Sequence, residues 1–339
     1  MIIDFESPAS PILLNPRLPE HERARLESLA PPLEAHVFVA TSGTSGAMKL
    51  VALSKRAILV SAAAVNERLG VTARDVWCRV LPLFHVGGLG ILARAHVSGA
   101  RVVEMPWDPR ALAESDATIV SLVPAQLHDL VSASLRPSPR LRAALGGGGA
   151  FDIELCDRAR ALGWPVLASY GMSECSSTVA IEDEVLSHLD ARTEPDGRLA
   201  FRGASLLTGY ATESGLVDPK VDGWFVTEDL GEVEGRVVRV RGRAGDFVKI
   251  GGESVDLLRL DAILRDLAGD AAAIVAIPDD RLGHVIHLAA TGDATAIVDA
   301  FNERVLPFER IREVHRVGEI PRSPLGKLLR AQLLRSIQC

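Results

Sequence analysis

From His36 to about residue 180, short apolar runs alternate with helical stretches, and that alternation narrows the fold to a largely parallel sheet covered on both faces. The strands read from the sequence are HVFVA (36–40), KLVAL (49–53), VWCRVLPL (76–83), RVVEM (101–105), ATIVSLV (117–123), LRAALG (141–146) and PVLAS (165–169). Ser54 is placed to N-cap a helix from Lys55 to about Leu69, and Gly70 to close it. Further helices fit at 19–29, 88–98, 124–135 and 152–162. Across 195–243 the texture changes to short strands and Gly turns, including the hairpin-like GEVEGRVVRVRGR (231–243). After Gly245 a compact unit reads strand 246–250, helix 256–268, strands 272–277 and 284–290, helix 295–305, strand 312–319 and a last helix from about Gly326. The expectation is an α/β protein with two domains. The large N-terminal domain (1–243) holds a doubly wound, mostly parallel sheet and a β-rich segment; a small α+β C-terminal domain (247–339) follows a hinge near 242–246.

Composition excludes several classes. With 339 residues the chain can bury a large core, and 47% hydrophobic with 24% charged residues is ordinary globular usage. A net charge of −7 argues against general nucleic-acid binding. The apolar stretches break before the roughly 18 residues of a membrane span, and MIIDFESPASP lacks a secretory pattern. Cys78, Cys156, Cys175 and Cys339 lie far apart with no metal spacing, as in a reduced, cytoplasmic protein. Only five of the 37 basic residues are lysines, and three of them (Lys49, Lys249, Lys327) fall inside motifs.

The first motif, Thr41-Ser42-Gly43-Thr44-Ser45-Gly46-Ala47-Met48-Lys49, lies between two strands. Its hydroxyls and flexible N–H groups suit an anion, with Lys49 as a point charge; a Ser/Gly-rich hairpin turn accounts for it equally well in isolation. The GxxGxxK spacing running into a strand differs from a Walker A loop, which enters a helix. Further motifs follow in order: Leu81-Pro82-Leu83-Phe84-His85-Val86-Gly87-Gly88, Gly146–Gly149, Tyr170-Gly171-Met172-Ser173-Glu174, Trp224-Phe225-Val226-Thr227-Glu228-Asp229, Gly242–Lys249 and Pro321-Arg322-Ser323-Pro324-Leu325-Gly326-Lys327. The first four motifs follow strands, at the carboxyl ends where doubly wound sheets bind ligands.

This ordered set, from about residue 36 to 335, resembles the acyl-adenylate-forming superfamily, and the wording LGGGGAFDIELCDRARALGWPVLASYGMSECSS looks most like the o-succinylbenzoate–CoA ligases of menaquinone synthesis. The resemblance implies that Thr41, Ser42, Gly43, Thr44, Ser45, Gly46 and Lys49 hold the β- and γ-phosphates of ATP. It implies that Tyr170 and Gly147, Gly148 and Gly149 flank the adenine, that Ser173 contacts the α-phosphate, and that Glu174 ligates Mg²⁺. Asp229 would accept the ribose hydroxyls with Arg243 beside it. Asp246 and Lys249 belong to the hinge, and Lys327 is the catalytic lysine of a mobile C-terminal domain. His85, Arg94 and Gly171 fall on the acid side, His85 as a gating and packing residue rather than a proton carrier. Arg94 lies in the helix GGLGILARAHV (87–97), and the resemblance implies that it pairs with the second carboxylate of the acid. Cys175 has no neighbouring base in sequence and reads as packing.

Some positions depart from the family pattern. The phosphate loop begins about a hundred residues earlier than in most relatives, so much of the first subdomain is missing and a homodimer covering the bared surface is expected. Met48 and Leu50 replace the usual Pro and Gly, Glu228 replaces a Gly, and Asp256–Leu260 replaces a Pro-x-Glu-x-Glu run. The expected reaction joins the acid to CoA at the expense of ATP, giving AMP and diphosphate. The alternatives are an adenylating ligase for another aromatic or aliphatic acid, which could load a carrier protein, and a degenerate nucleotide-binding relative without activity.

Overall fold

The computed structural model describes residues 3–338 apart from 17, 19, 43–47, 150–152, 244–246, 251–252, 280–281 and 324–325. The chain opens with β1 (Ile12–Leu13), α1 (Glu20–Leu29) and the antiparallel pair β2 (His36–Ser42) and β3 (Met48–Ser54). In that pair Thr41 lies opposite Lys49. The helix α2 (Lys55–Leu69) has the ends its sequence calls for. The Ser54 side chain accepts from the Ala57 N–H, and Gly70 closes the helix at φ 58°.

A parallel sheet follows: β4 (Val76–Arg79), α3 (Val86–Ser98), β5 (Arg101–Glu104), α4 (Pro109–Ala113), β6 (Ile119–Leu122), α5 (Pro124–Ser132), β7 (Ala143–Gly146), α6 (Ile153–Ala161) and β8 (Val166–Met172). Spatial order is β5-β4-β6-β7-β8, every neighbouring pair parallel. The chain steps outward from β4 to β5 and then returns past β4 to β6, so a topological switch lies between β4 and β6. Successive strand residues point to opposite faces, and both faces are buried. Trp77, Ile119 and Leu145 pack with Val65 and Ile91 of α2 and α3. Cys78, Val120 and Ala144 pack with Leu112, Leu127 and Ala159 of α4, α5 and α6. This is the doubly wound sheet expected from the sequence.

Beyond β8 the sheet turns antiparallel through β9 (Ser177–Ile181), β10 (Glu184–Val185), β11 (Leu189–Thr193) and β12 (Arg198–Gly203). Two short strands, β13 (Gly209–Thr212) and β14 (Gly215–Val217), leave it to join β3, and β15 (Phe225–Glu234) and β16 (Val237–Arg243) return to it. The strands β2 and β3 therefore belong to a second sheet, ordered β1-β2-β3-β13-β14, and not to the parallel one. The short link makes β2 and β3 antiparallel neighbours, since a parallel pair needs a crossover of a dozen residues or more. Their sheet is set by β3 pairing with β13, where Leu50 meets Ala211 and Val51 meets Tyr210.

The third sheet contains β17 (Phe247–Ile250), β18 (Glu253–Asp256), β19 (Ala272–Asp279), β20 (Gly283–Ala290) and β21 (Ile311–Arg316). Helices α7 (Leu257–Ala268) and α8 (Thr295–Asn302) cover one face through Leu260, Leu264 and Phe301. Helix α9 (Arg330–Gln338) covers the other through Leu333. The last helix begins at Arg330 and not near Gly326, because Gly326 takes φ +78° in a loop closed by an Arg322–Leu328 bridge. The segment Glu253–Asp256 is a strand paired with β17, and α4, N-capped by Asp108 with Pro109 in its first turn, is an element the sequence reading left out.

Candidate active site

The loops after β4, β6, β7 and β8 meet outside the carboxyl ends of the parallel strands, beside the switch point. After β4 the chain reaches the N-terminus of α3, where the His85 carbonyl accepts from the N–H groups of Gly88 and Leu89. The half-buried His85 ring lies 4.7 Å from that of Phe84, and burial lowers its pKa below the usual imidazole value. A neutral, packed ring suits a gating residue better than a proton carrier. The Ser169 hydroxyl donates to the Gly146 carbonyl (2.8 Å) and the Gly147 N–H to Leu122, which ties the ends of β6, β7 and β8 together ahead of Gly148 and Gly149.

Two carboxylates border this crevice, and each receives a tyrosine hydroxyl. Tyr170 donates to Asp229 Oδ2 at 2.6 Å, and Tyr210 donates to Glu174 Oε1 at 3.0 Å. The chain has only two tyrosines, so both are spent on these acids. Asp229 also lies opposite Arg243 in the β15–β16 register. Glu174 sits in a short turn (Ser173–Cys175) docked on the loop between β12 and β13: its carbonyl accepts from the Leu207 N–H (2.8 Å), and the Ser176 hydroxyl donates to the Ser205 carbonyl (2.7 Å). The Lys49 ammonium lies 4.9 Å from the centre of the Tyr210 ring, so the side chain that donates to Glu174 also faces Lys49. Burial first, then the Glu174 charge, pushes the Tyr210 hydroxyl well above its usual pKa, so at neutral pH it is a donor. Next to Glu174, Cys175 is fully buried in the core and its thiol is likewise pushed up by burial, which leaves it a packing residue.

Arg94 is among the largest fully buried side chains of the protein. A helix side chain leans toward the helix N-terminus, and here the guanidinium lies back over Gly90, four residues earlier. A Cβ at that glycine would stand 3.3 Å from Arg94 Nη2. Nη2 donates to Thr178 Oγ1 (2.9 Å) and Ser177 Oγ (3.2 Å), Nη1 donates to Ser121 Oγ (3.4 Å), and the group lies 5.4 Å from the Trp77 ring centre. Thr178 is the β9 partner of Gly171, so Arg94 and Gly171, two of the three residues expected on the acid side, lie on adjoining structure. Burial pushes the Arg94 pKa down to about 10, which leaves it charged at neutral pH. Among the described residues no carboxylate pairs with it, and its Nε has no partner.

The other expected residues are placed as follows. Thr41 and Lys49 face each other across the hairpin, while Gly43, Thr44, Ser45 and Gly46 lie outside the described residues, as do the side chains of Ser42, Arg243 and Lys249 and all of Asp246. Lys327 is exposed, in the loop between Pro321 and α9, where its carbonyl accepts from the Ser323 N–H. The sequence reading passed over Tyr210 and the three hydroxyls around Arg94. The scarcity of tyrosine was the one signal that pointed to the former.

An enzyme fold with a carboxylate-lined crevice at the switch point fits the comparison with known families: the AMP-binding enzyme profile matches residues 2–211, and the chain belongs to that family. It is 33% identical to the probable 2-succinylbenzoate–CoA ligase of Mycobacterium tuberculosis, over 88% of this chain and 84% of that protein. The 2-succinylbenzoate–CoA ligase of Enterococcus faecalis is 27% identical over 87% of this chain and 68% of its own length. Among solved structures, the o-succinylbenzoate CoA synthetase of Bacillus subtilis in complex with its acyl-adenylate intermediate superposes with a TM-score of 0.78 at 26% identity, covering 88% of this chain and 68% of that one. The same enzyme in complex with ATP and magnesium ion gives 0.77 at 26% identity, over 88% and 69%.

Proposed function

We propose that the protein activates 2-succinylbenzoate with ATP as its acyl-adenylate, releasing diphosphate, and then transfers the acyl group to CoA, releasing AMP. The observation that carries the choice of acid is Arg94. A guanidinium buried among hydroxyls with no carboxylate beside it is costly unless an anion shares the site. A substrate with one carboxylate to activate and a second to bind supplies that anion; a monocarboxylate does not. The relatives named above act on the same acid.

The nucleotide roles follow the same reading. The loop from Thr41 to Lys49 takes the β- and γ-phosphates, Tyr170 and Gly147–Gly149 take the adenine, Ser173 the α-phosphate, and Asp229 with Arg243 the ribose. Glu174 fits Mg²⁺: it is a half-buried oxygen donor held by Tyr210, with no salt-bridge partner among the described residues. The ion would neutralise phosphate charge as the acid approaches. Residues 247–339 move about a hinge at 242–246 and deliver Lys327 to the carboxylate and α-phosphate. We place the protein in the cytoplasm, where ATP and CoA are available, and among the described residues no helix is long and apolar enough to cross a membrane. The edge strand β14, with Val217 and nearby Val221 exposed, is an apolar strip that a second copy would cover, so sedimentation velocity should report a homodimer; a monomer at every concentration counts against it.

The deciding experiment is ATP–diphosphate exchange with 2-succinylbenzoate and with a matched acid lacking the second carboxylate. Arg94→Ala should lose roughly 2–5 kcal/mol of binding for the diacid alone. An unchanged ratio between the two acids rejects Arg94 as the selectivity group, and no exchange with any acid rejects adenylation.

A further inference from the structure

Tyr210 touches two groups that the adenylation chemistry needs to keep apart from each other and in fixed places. Its hydroxyl donates to one oxygen of Glu174, and its ring lies beneath the ammonium of Lys49. The backbone around it is held on both sides, since Tyr210 pairs with Val51 of β3 and with Val217 of β14. The Glu174 turn is pinned to the same segment through Leu207 and Ser205. Tyr210 stands between the two: its ring faces Lys49 and its hydroxyl occupies a Glu174 oxygen, so its removal would let the ammonium approach that carboxylate. An ammonium and a carboxylate that met there would neutralise each other and withdraw both from the phosphates and the metal. The ring gives the ammonium a weaker, non-neutralising seat, and the hydrogen bond fixes which carboxylate oxygen remains available.

Resting on the reading that Glu174 holds Mg²⁺ and Lys49 the phosphates, we propose that Tyr210 is a positioning residue for adenylation: it orients Glu174 toward the metal and holds Lys49 off it. The test uses the full chain and Mn²⁺ as the probe. Mn²⁺ binding in the presence of α,β-methylene-ATP is read by electron paramagnetic resonance, so no turnover is required. Tyr210→Phe keeps the ring and should weaken Mn²⁺ binding about 10-fold, while nucleotide binding without metal stays near that of the parent. Tyr210→Leu, which also removes the seat for Lys49, should in addition weaken metal-free nucleotide binding. A double-mutant cycle separates positioning from folding. If Tyr210 acts through Glu174, Glu174→Gln with Tyr210→Phe should bind Mn²⁺ no more weakly than Glu174→Gln alone. Additive losses, or parent-like Mn²⁺ affinity in Tyr210→Phe, overturn the inference. A parent that binds Mn²⁺ with the nucleotide but gives no exchange with any acid instead rejects the proposed reaction and leaves the positioning role standing.

Discussion

A methyl group placed on Gly171 would stand 2.1 Å from the Ser177 carbonyl oxygen and 2.9 Å from its carbon. Both are backbone atoms, so no side-chain rotation relieves the contact, and β8 and β9 would have to separate. The pairing is already irregular there, with a register shift between Tyr170 and Gly171. Everything nearby depends on that register: Tyr170 on one side, Ser173 and Glu174 on the other, and Thr178, which holds Arg94, directly across. Gly171→Ala is therefore expected to cost about 1–3 kcal/mol of stability and to lower ATP–diphosphate exchange by roughly an order of magnitude or more. Thermal unfolding and exchange assays check the two effects separately. Activity unchanged with a normal melting curve would mean that the strands can part without disturbing the site.

At the scale of elements, local chemistry and long-range pairing were unequally visible in the sequence. The helix α2 could be bounded at both ends because its stop and start signals are local: the Ser54 cap and the Gly70 left-handed turn. The strands β4 to β8 were likewise legible, as apolar runs too short for buried helices and separated by helical stretches. What the sequence did not reveal was which sheet the β2–β3 hairpin joins, since that depends on Leu50 meeting Ala211 and Val51 meeting Tyr210, residues far apart in the chain. The same limit hid part of the site. Glu174 and Lys49 each stand in a motif with a recognisable spacing, but Tyr210 becomes their neighbour only when β13 adds to β3. Arg94 was visible as a charged residue amid Ile91, Leu92 and Ala93; its hydroxyl partners, from β6 and β9, were not. Chemistry confined to one motif could be read, and chemistry assembled from three strands could not.

At the scale of the whole molecule, the question is how one crevice serves two half-reactions with opposite needs. Adenylation brings a carboxylate against the α-phosphate, two anions that must be neutralised together and kept in line. Thiol attack on the acyl-adenylate needs no cation between those groups and does need an open approach to the carbonyl. A lysine on a separate body, as proposed for Lys327, would meet both demands by arriving for the first step and leaving for the second. The cores of the third sheet support such a body, because the buried residues packing against α7, α8 and α9 all come from Val248 onward. Lys327→Ala should accordingly lower ATP–diphosphate exchange by roughly 10² or more, while CoA still consumes added 2-succinylbenzoyl-AMP at close to the parent rate. Both rates belong to the same preparation, so a folding defect would show as a loss in each. Equal losses in the two half-reactions would make Lys327 a structural residue and remove the main ground for a moving C-terminal unit.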